Sequence, residues 1–296
     1  MENRIPWPEP GAIAERLQAL EDRESASEDY IRFRIALLKA QSAVQEALAC
    51  SPPPPTRSRA AEGEREAKLP VLGADDVPFD RALLTGLARA LAAALPSREG
   101  GGEMARLCAA AANDPALLEE LARNAAFDAE ERFFAGLSER MEASPEALFF
   151  LGRALAAPFV AGAVRRLKEC EGIAAPESSG RCPYCGSPPG LAKLRREEGR
   201  RVLFCSLCGE GWEFERVRCP FCAAQGGLTM LAMGPDDPRW IESCERCGGY
   251  LKTVDERRLP QGEPVIPLVE ATATLYLDLV AEREGYASGP AYVALL

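Results

Sequence analysis

Residues 181–191, RCPYCGSPPGL, and 200–214, RRVLFCSLCGEGWEF, are echoed later in the chain by 218–228, RCPFCAAQGGL, and 239–252, RWIESCERCGGYLK. Each segment carries one Cys-x-x-Cys pair: Cys182/Cys185, Cys205/Cys208, Cys219/Cys222 and Cys244/Cys247. Two cysteines three residues apart turn both sulfurs toward one point when the backbone folds into a tight knuckle, and two knuckles supply the four thiolates of a tetrahedral metal site. The backbone chemistry agrees with the sulfurs. Pro183 and Pro220 preset a turn dihedral after the first cysteine of their pairs, and Gly186, Gly209 and Gly248 follow the second cysteine, where a positive φ is wanted. Ala223 stands where the other three knuckles have glycine.

The four pairs form an internal repeat. Each unit reads as a knuckle, a polar turn region, a short β-type run (202–204, then 240–241), a second knuckle and a further short strand (212–214, then 250–253), which is a ribbon of the zinc-ribbon or rubredoxin kind. The expected pairing is sequential, first knuckle with second and third with fourth, so that each repeat closes its own site. A cross-braced pairing, which splits every repeat between two metals, is the alternative. Disulfides are the poorer reading, because nothing in the chain looks secreted.

Outside the ribbons the chain reads as helix. Its 296 residues suggest about two domains, and 47% hydrophobic residues are enough for a real core. Residues 11–49 give two helices, with Ile13, Leu17 and Leu20 at helical spacing and Ile31, Ile35, Leu38, Val44 and Leu48 continuing after Ser27. The run from Ser51 to about 78, beginning SPPPPTRSRAAEGEREAK, has too many prolines and charges to sustain a buried face and is expected to be a linker or excursion. Residues 80–170 read as four to six helices, started by Asp80, by Asp114–Pro115 and by Ser144–Pro145, each a capping side chain at a helix entrance. Phe133, Phe134, Phe149, Phe150 and Phe159 are read as core, and Cys50, Cys108 and Cys170 as small hydrophobes. The apolar window 147–164 contains Arg153 and Pro158 and is expected to be a buried helix, not a membrane insertion.

The fold expected is therefore α+β: an all-α amino-terminal domain over 1–170, a first four-cysteine module over 181–217, a second over 218–258, and a carboxy-terminal helix over 263–286. In that helix Leu268, Thr272, Leu275, Tyr276, Leu279 and Val280 form an apolar stripe that needs a partner surface. The helical domain, the ribbons and a second copy of the chain, giving a homodimer, are the three candidates.

Charge and residue type exclude several functions. The net charge of −10 argues against broad nucleic-acid binding, which rests on Lys and Arg neutralising phosphates. Tyr184, Phe204, Trp212, Phe214, Phe221 and Trp240 keep a base-stacking zinc ribbon open as an alternative, and a rubredoxin-like electron carrier is a third reading. Only the ribbon region is slightly basic. Arg181, Arg200, Arg201, Arg216 and Arg218 are there either to offset the −2 charge that four thiolates leave on a divalent metal or as solvated strand-face charges. The chain has no histidine, which removes Cys–His and Ser–His catalysis and mixed Cys/His metal sites, so no enzymatic turnover is expected. The amino-terminal MENRIPWPEP has no basic region leading into an apolar one, so a cytoplasmic protein is expected.

RCPYCGSPP at 181–189, RRVLFCSLCGEGWEFERVRCPFC at 200–222 and ESCERCGGYLK at 242–252, followed by TLYLDLVAEREGY at 274–286, resemble the FdhE family of formate dehydrogenase accessory proteins in the order and spacing of all four knuckles. The resemblance implies an α-helical amino-terminal domain and two rubredoxin-like modules that bind iron. It also implies a cytoplasmic, post-translational maturation or chaperone role on the catalytic subunit of formate dehydrogenase. The residues themselves leave the metal open, since four thiolates suit zinc and iron alike.

Overall fold

The computed structural model describes residues 10–20, 27–49, 70–95, 102–128, 131–170 and 180–288. These divide into two compact units. One is helical and begins at Glu28; the other holds both ribbons and also takes in the first helix of the chain.

The helical unit contains α2 (Glu28–Ala49), α3 (Arg81–Ala94), α4 (Glu103–Ala111), α5 (Pro115–Arg123), α6 (Glu131–Met141) and α7 (Pro145–Cys170). Its entrances are capped by the expected residues. Asp80 accepts from the N–H groups of Ala82 and Leu83 at 2.8 and 2.9 Å, Asp114 accepts from Leu117 at 3.1 Å, and Ser144 Oγ accepts from Ala147 at 3.3 Å. By length and composition α7 could cross a membrane, but 83% of its apolar window is buried, with α2, α4, α5 and α6 packed around it. Of the phenylalanines read as core, Phe134 and Phe159 are buried and Phe133, Phe149 and Phe150 are half-buried; Phe134 meets Phe149 edge-on at 5.3 Å, and Phe79 meets Phe159 at 5.4 Å.

Pro158 inside α7 has no N–H, so the carbonyl of Ala154, four residues earlier, loses its helical donor. Gln41 on α2 replaces that donor, with Nε2 at 2.8 Å from the Ala154 oxygen in a buried contact. The unpaired carbonyl that proline creates therefore becomes a bond between two core helices.

Part of the expected linker is packed. Val71, Leu72 and Val77 are buried around a 3₁₀ turn at Ala74–Asp76, and Arg123 donates to the Ala74 carbonyl at 2.5 Å. Apolar residues at 71, 72 and 77 end the polar run earlier than its composition suggests; residues 50–69 of that linker lie outside those described. The same is true of Cys50 and of the Cys170 side chain. Cys108 is buried, and burial pushes its thiol up to about 12, consistent with a small hydrophobe.

In the other unit the two ribbons are joined into one sheet. The strands are β1 (Pro189–Leu194), β2 (Arg201–Cys205), β3 (Gly211–Phe214), β4 (Leu228–Ala232), β5 (Arg239–Cys244), β6 (Gly249–Asp255) and β7 (Ala287–Ser288). Their order is β3-β2-β1-β6-β5-β4, with β7 paired to β6. Strands within each ribbon are antiparallel, and the ribbons meet through a parallel pairing of Ala192, Lys193 and Leu194 with Thr253, Val254 and Asp255. Here the structure corrects the sequence reading twice. What reads as a polar turn region after knuckles one and three is strand, β1 and β4, and the two modules share one hydrogen-bonded sheet. Both features depend on long-range pairing, which local pattern does not show.

Strand alternation sorts the side chains onto two faces. Leu191, Val202, Phe204 and Val254 form one core cluster with Leu259 and Val265. By register Ile241 and Tyr250 lie on the same face, where they pack with Leu277 and Ala281. The covering elements are α8 (Pro267–Ala273) and α9 (Leu275–Arg283). The carboxy-terminal helix is thus broken at Thr274, and the break shifts the stripe: Leu277 and Ala281 are buried, whereas Leu279 is 66% exposed. Three polar contacts hold these helices down. Arg239 grips Glu270 through Nε at 2.6 Å and Nη2 at 3.2 Å, Lys252 reaches Asp278 at 2.7 Å, and the Tyr250 hydroxyl donates to Asp278 at 2.9 Å. Of the three candidate partners for this stripe, the ribbon sheet is the one it covers.

The helix α1 (Pro10–Gln18) packs on α8, with Ile13 and Leu17 buried and Arg16 donating to the Pro264 carbonyl at 3.2 Å. It belongs with the ribbon unit and not with the helical region that follows it in sequence. Its two apolar residues find a ready surface on α8, a contact between the two ends of the chain that no local reading reveals.

Candidate metal centre

All four knuckles close by the same hydrogen bond. The N–H after the second cysteine donates to the carbonyl of the first: Gly186 to Cys182 at 2.9 Å, Gly209 to Cys205 at 3.2 Å, Ala223 to Cys219 at 3.0 Å and Gly248 to Cys244 at 2.8 Å. The donor residue needs a positive φ to do this. The three glycines have φ of 75°, 76° and 70°, and Ala223 is held at 58°, in the left-handed region that costs a residue with a Cβ.

The knuckles bring the eight predicted cysteines into two groups. Cys182, Cys185, Cys205 and Cys208 form one and Cys219, Cys222, Cys244 and Cys247 the other, with the sulfurs of each group all within 4.8 Å of one another. The grouping is the sequential one. Within the first group Cys182–Cys208, Cys185–Cys205 and Cys185–Cys208 are separated by 3.6, 3.5 and 3.7 Å; within the second, Cys219–Cys247 and Cys222–Cys244 are both 3.8 Å apart. A tetrahedron of sulfurs about 2.3 Å from a central ion has edges of about 3.8 Å, so both groups have the dimensions of a four-thiolate site. These separations are well beyond the roughly 2.0 Å of a disulfide.

The electrostatics also favour a cation. Burial first, and then the neighbouring thiols, push Cys182 well above the ordinary thiol range, and burial does the same to Cys208. Hydrogen bonds from the thiols of Cys182, Cys205 and Cys208 draw Cys185 well below it. In the second group burial raises Cys219 to about 12 and also raises Cys247. Burial acts against Cys244 too, but the N–H groups of Cys247 and Arg246 outweigh it and bring that thiol down to about 7. Four negative sulfurs within 4.8 Å of one another repel strongly, and a bound divalent or trivalent ion removes that repulsion.

The two groups differ in exposure. All four cysteines of the first are buried, whereas Cys222 and Cys247, one from each knuckle of the second, face solvent. Beside the first centre the Cys182 N–H donates to the Ser187 carbonyl at 2.8 Å and the Ser206 hydroxyl to the Pro188 carbonyl at 2.7 Å. The second lies near the edge strand β4, where Met230 and Met233 are 57% and 64% exposed.

Of the five arginines near the cysteines, one is buried. Arg200 pairs with Glu198 and, at 3.3 Å, with Glu213; Arg218 pairs with Glu215 at 3.3 Å; both are solvent-facing. Arg201 has a completely buried side chain and meets Glu242 at 2.7 Å. Sequence reasoning missed Glu242. Its one signal is an acidic residue at an inward position of a strand, between Trp240 and Cys244. The aromatics that kept a base-stacking reading open are mostly interior: Tyr184, Phe204, Trp212, Phe214 and Trp240 are all 7% exposed or less, and buried rings offer no face to a base.

Residues 181–216 match the family model described as the FdhE central domain, and residues 217–295 match that of the FdhE C-terminal domain. Proteins named FdhE from Escherichia coli O1:K1, Shigella boydii serotype 18 and Escherichia fergusonii are each 36% identical over 109 residues, 36% of this chain and 34% of the relative. The match spans about a third of the length of these curated relatives. The crystal structure of the FdhE protein from Pseudomonas aeruginosa superposes with a TM-score of 0.67 at 22% identity, covering 98% of each chain, which shows a common fold. Residues 181–295, which hold both four-cysteine groups, are thus similar to the central and C-terminal domains of the FdhE family.

Proposed function

We propose that this protein is an accessory factor for formate dehydrogenase, acting after translation on the catalytic subunit in the cytoplasm, with one metal ion in each four-cysteine centre. The observation that carries the reading is the pair of four-sulfur groups of tetrahedral dimensions inside the residues that match the FdhE domains. Cys182, Cys185, Cys205 and Cys208 would hold one ion and Cys219, Cys222, Cys244 and Cys247 the other. Iron is the metal the family resemblance favours, and zinc has the same donor set and geometry. When bound, the ion fixes the ribbon fold, and iron adds a one-electron couple.

The test has two arms. A strain lacking its own copy of the gene should regain formate dehydrogenase activity when supplied with the wild-type protein, and not with a variant carrying Cys219→Ser and Cys222→Ser. The untagged catalytic subunit should co-purify from the cytosolic fraction with the wild type. Full activity in the uncomplemented strain, or restoration by the double-serine variant, would count against the proposal.

The exposure of Cys222 and Cys247 favours a second reading, in which the second centre passes single electrons to a docked partner. Reversible one-electron oxidation of the iron-loaded protein, lost in a Cys222→Ser variant, supports it; a centre that takes only zinc in the cell removes it.

A further inference from the structure

Arg201 comes from β2 of the first ribbon, yet its charged end lies among residues that shape the second centre. Its Nη1 donates at 3.1 Å to the carbonyl of Arg218, the residue directly before Cys219, and its Nη2 lies 2.7 Å from Glu242, two residues before Cys244. One guanidinium thus touches both chain segments that lead into the knuckles of the other ribbon. The ribbons approach closely there: a Cβ placed on Gly180, just ahead of the first knuckle, would fall 1.9 Å from the carbonyl oxygen of Pro220 in the third.

The guanidinium is not fully used. Nε and Nη2 of Arg201 are buried without a hydrogen-bond partner among the described residues, so the contact with Glu242 is an ion pair by distance and not an aligned hydrogen bond. Buried donors of a permanent cation are costly to leave unmade, and a nearby group of negative charge is their natural complement. Cys219 acts on Arg201 electrostatically in the favourable direction, next after Glu242 among the charges that do so.

Given metal in both centres as proposed above, we infer that Arg201 is the charge-compensating positioning residue of the second centre. Supplied by the first ribbon, it makes metal retention at Cys219, Cys222, Cys244 and Cys247 depend on the first ribbon being folded. A metal with four thiolates carries −2 if divalent, and Arg201, shared with Glu242, offsets part of that. Groups in this outer position typically change metal affinity 10–100-fold.

The test is chelator competition on the full-length zinc-loaded protein, with the two release phases assigned by the variant Cys222→Ser, which lacks the second. The apolar pair Arg201→Met with Glu242→Leu should weaken zinc retention at the second centre by about 10-fold or more and leave the first unchanged. Arg201→Lys, which keeps the charge, should recover most of that loss. Glu242→Gln separates charge from mere structure, since it lowers stability yet leaves the Arg201 charge without its carboxylate partner; zinc at the second centre should be held as tightly as in the wild type or more so. The inference is overturned if the two centres weaken together, if neither changes in the apolar pair, if Lys weakens the second as much as the apolar pair does, or if Glu242→Gln loosens it. Absence of zinc from the wild type would instead sink the metal-site proposal on which the inference rests.

Discussion

Arg201 on β2 and Glu242 on β5 form a buried ion pair at 2.7 Å that spans the two strands lying between them in the sheet. Breaking such a pair by neutralising one partner leaves an uncompensated buried charge and typically costs about 3–5 kcal/mol, whereas replacing both partners by apolar groups is often close to neutral. Glu242→Gln is therefore expected to lower the unfolding free energy of the ribbon unit by roughly that amount, and Arg201→Met with Glu242→Leu to recover most of it. Denaturant unfolding followed by tryptophan emission checks both, since Trp212 and Trp240 are buried in this unit. Equal loss in the single and double variants would show that an unpaired buried charge is not what the single variant costs.

Ala223 holds φ of 58° where its three counterparts are glycine. A residue with a Cβ in this region is disfavoured by about 1–2 kcal/mol, part of which glycine returns through the greater freedom of the unfolded chain. Ala223→Gly should stabilise the second ribbon by about 0.5–1 kcal/mol and slow metal release from it. The reverse change, Gly209→Ala, should destabilise the first. Thermal melts of the two variants compare these directly.

Gln41 supplies the donor that Pro158 denies to the Ala154 carbonyl. Gln41→Leu keeps the volume and leaves that buried oxygen unsatisfied, at an expected cost of about 1–3 kcal/mol. The loss should appear in the far-ultraviolet dichroism melt of the helical unit with metal content unchanged. Adding Pro158→Ala restores a backbone N–H and should return most of the stability.

Metal retention should fall as pH falls, and unequally. Binding requires deprotonated sulfurs and releases protons, so acid competes with the metal at both centres. Water and chelator reach Cys222 and Cys247 directly, while the first group is buried throughout. Acid titration in the presence of a chromogenic chelator should release the second ion at higher pH than the first, in two resolved steps. A single step, or release of the first ion first, would show that exposure does not set the order.

The local chemistry of both centres was legible in the chain itself. Cys-x-x-Cys spacing, a proline inside two knuckles and glycine after three are nearest-neighbour features, and the hydrogen bond that closes each knuckle spans only four residues. The helix entrances at Asp80, Asp114 and Ser144 were legible for the same reason, because a cap is made by a side chain and N–H groups two or three residues away. Repetition of one unit also pointed to sequential grouping of the cysteines. Only the tertiary structure decided what joins these parts: the parallel pairing of β1 with β6, the break at Thr274 that buries Leu277 and exposes Leu279, the packing of α1 on α8, and the burial of Arg201 among four arginines of similar sequence context. Each of these depends on residues far apart in the chain meeting in one place. Spacing along the sequence reports which side chains a short segment can bring together, whereas the burial of a charge depends on which distant surface comes to cover it.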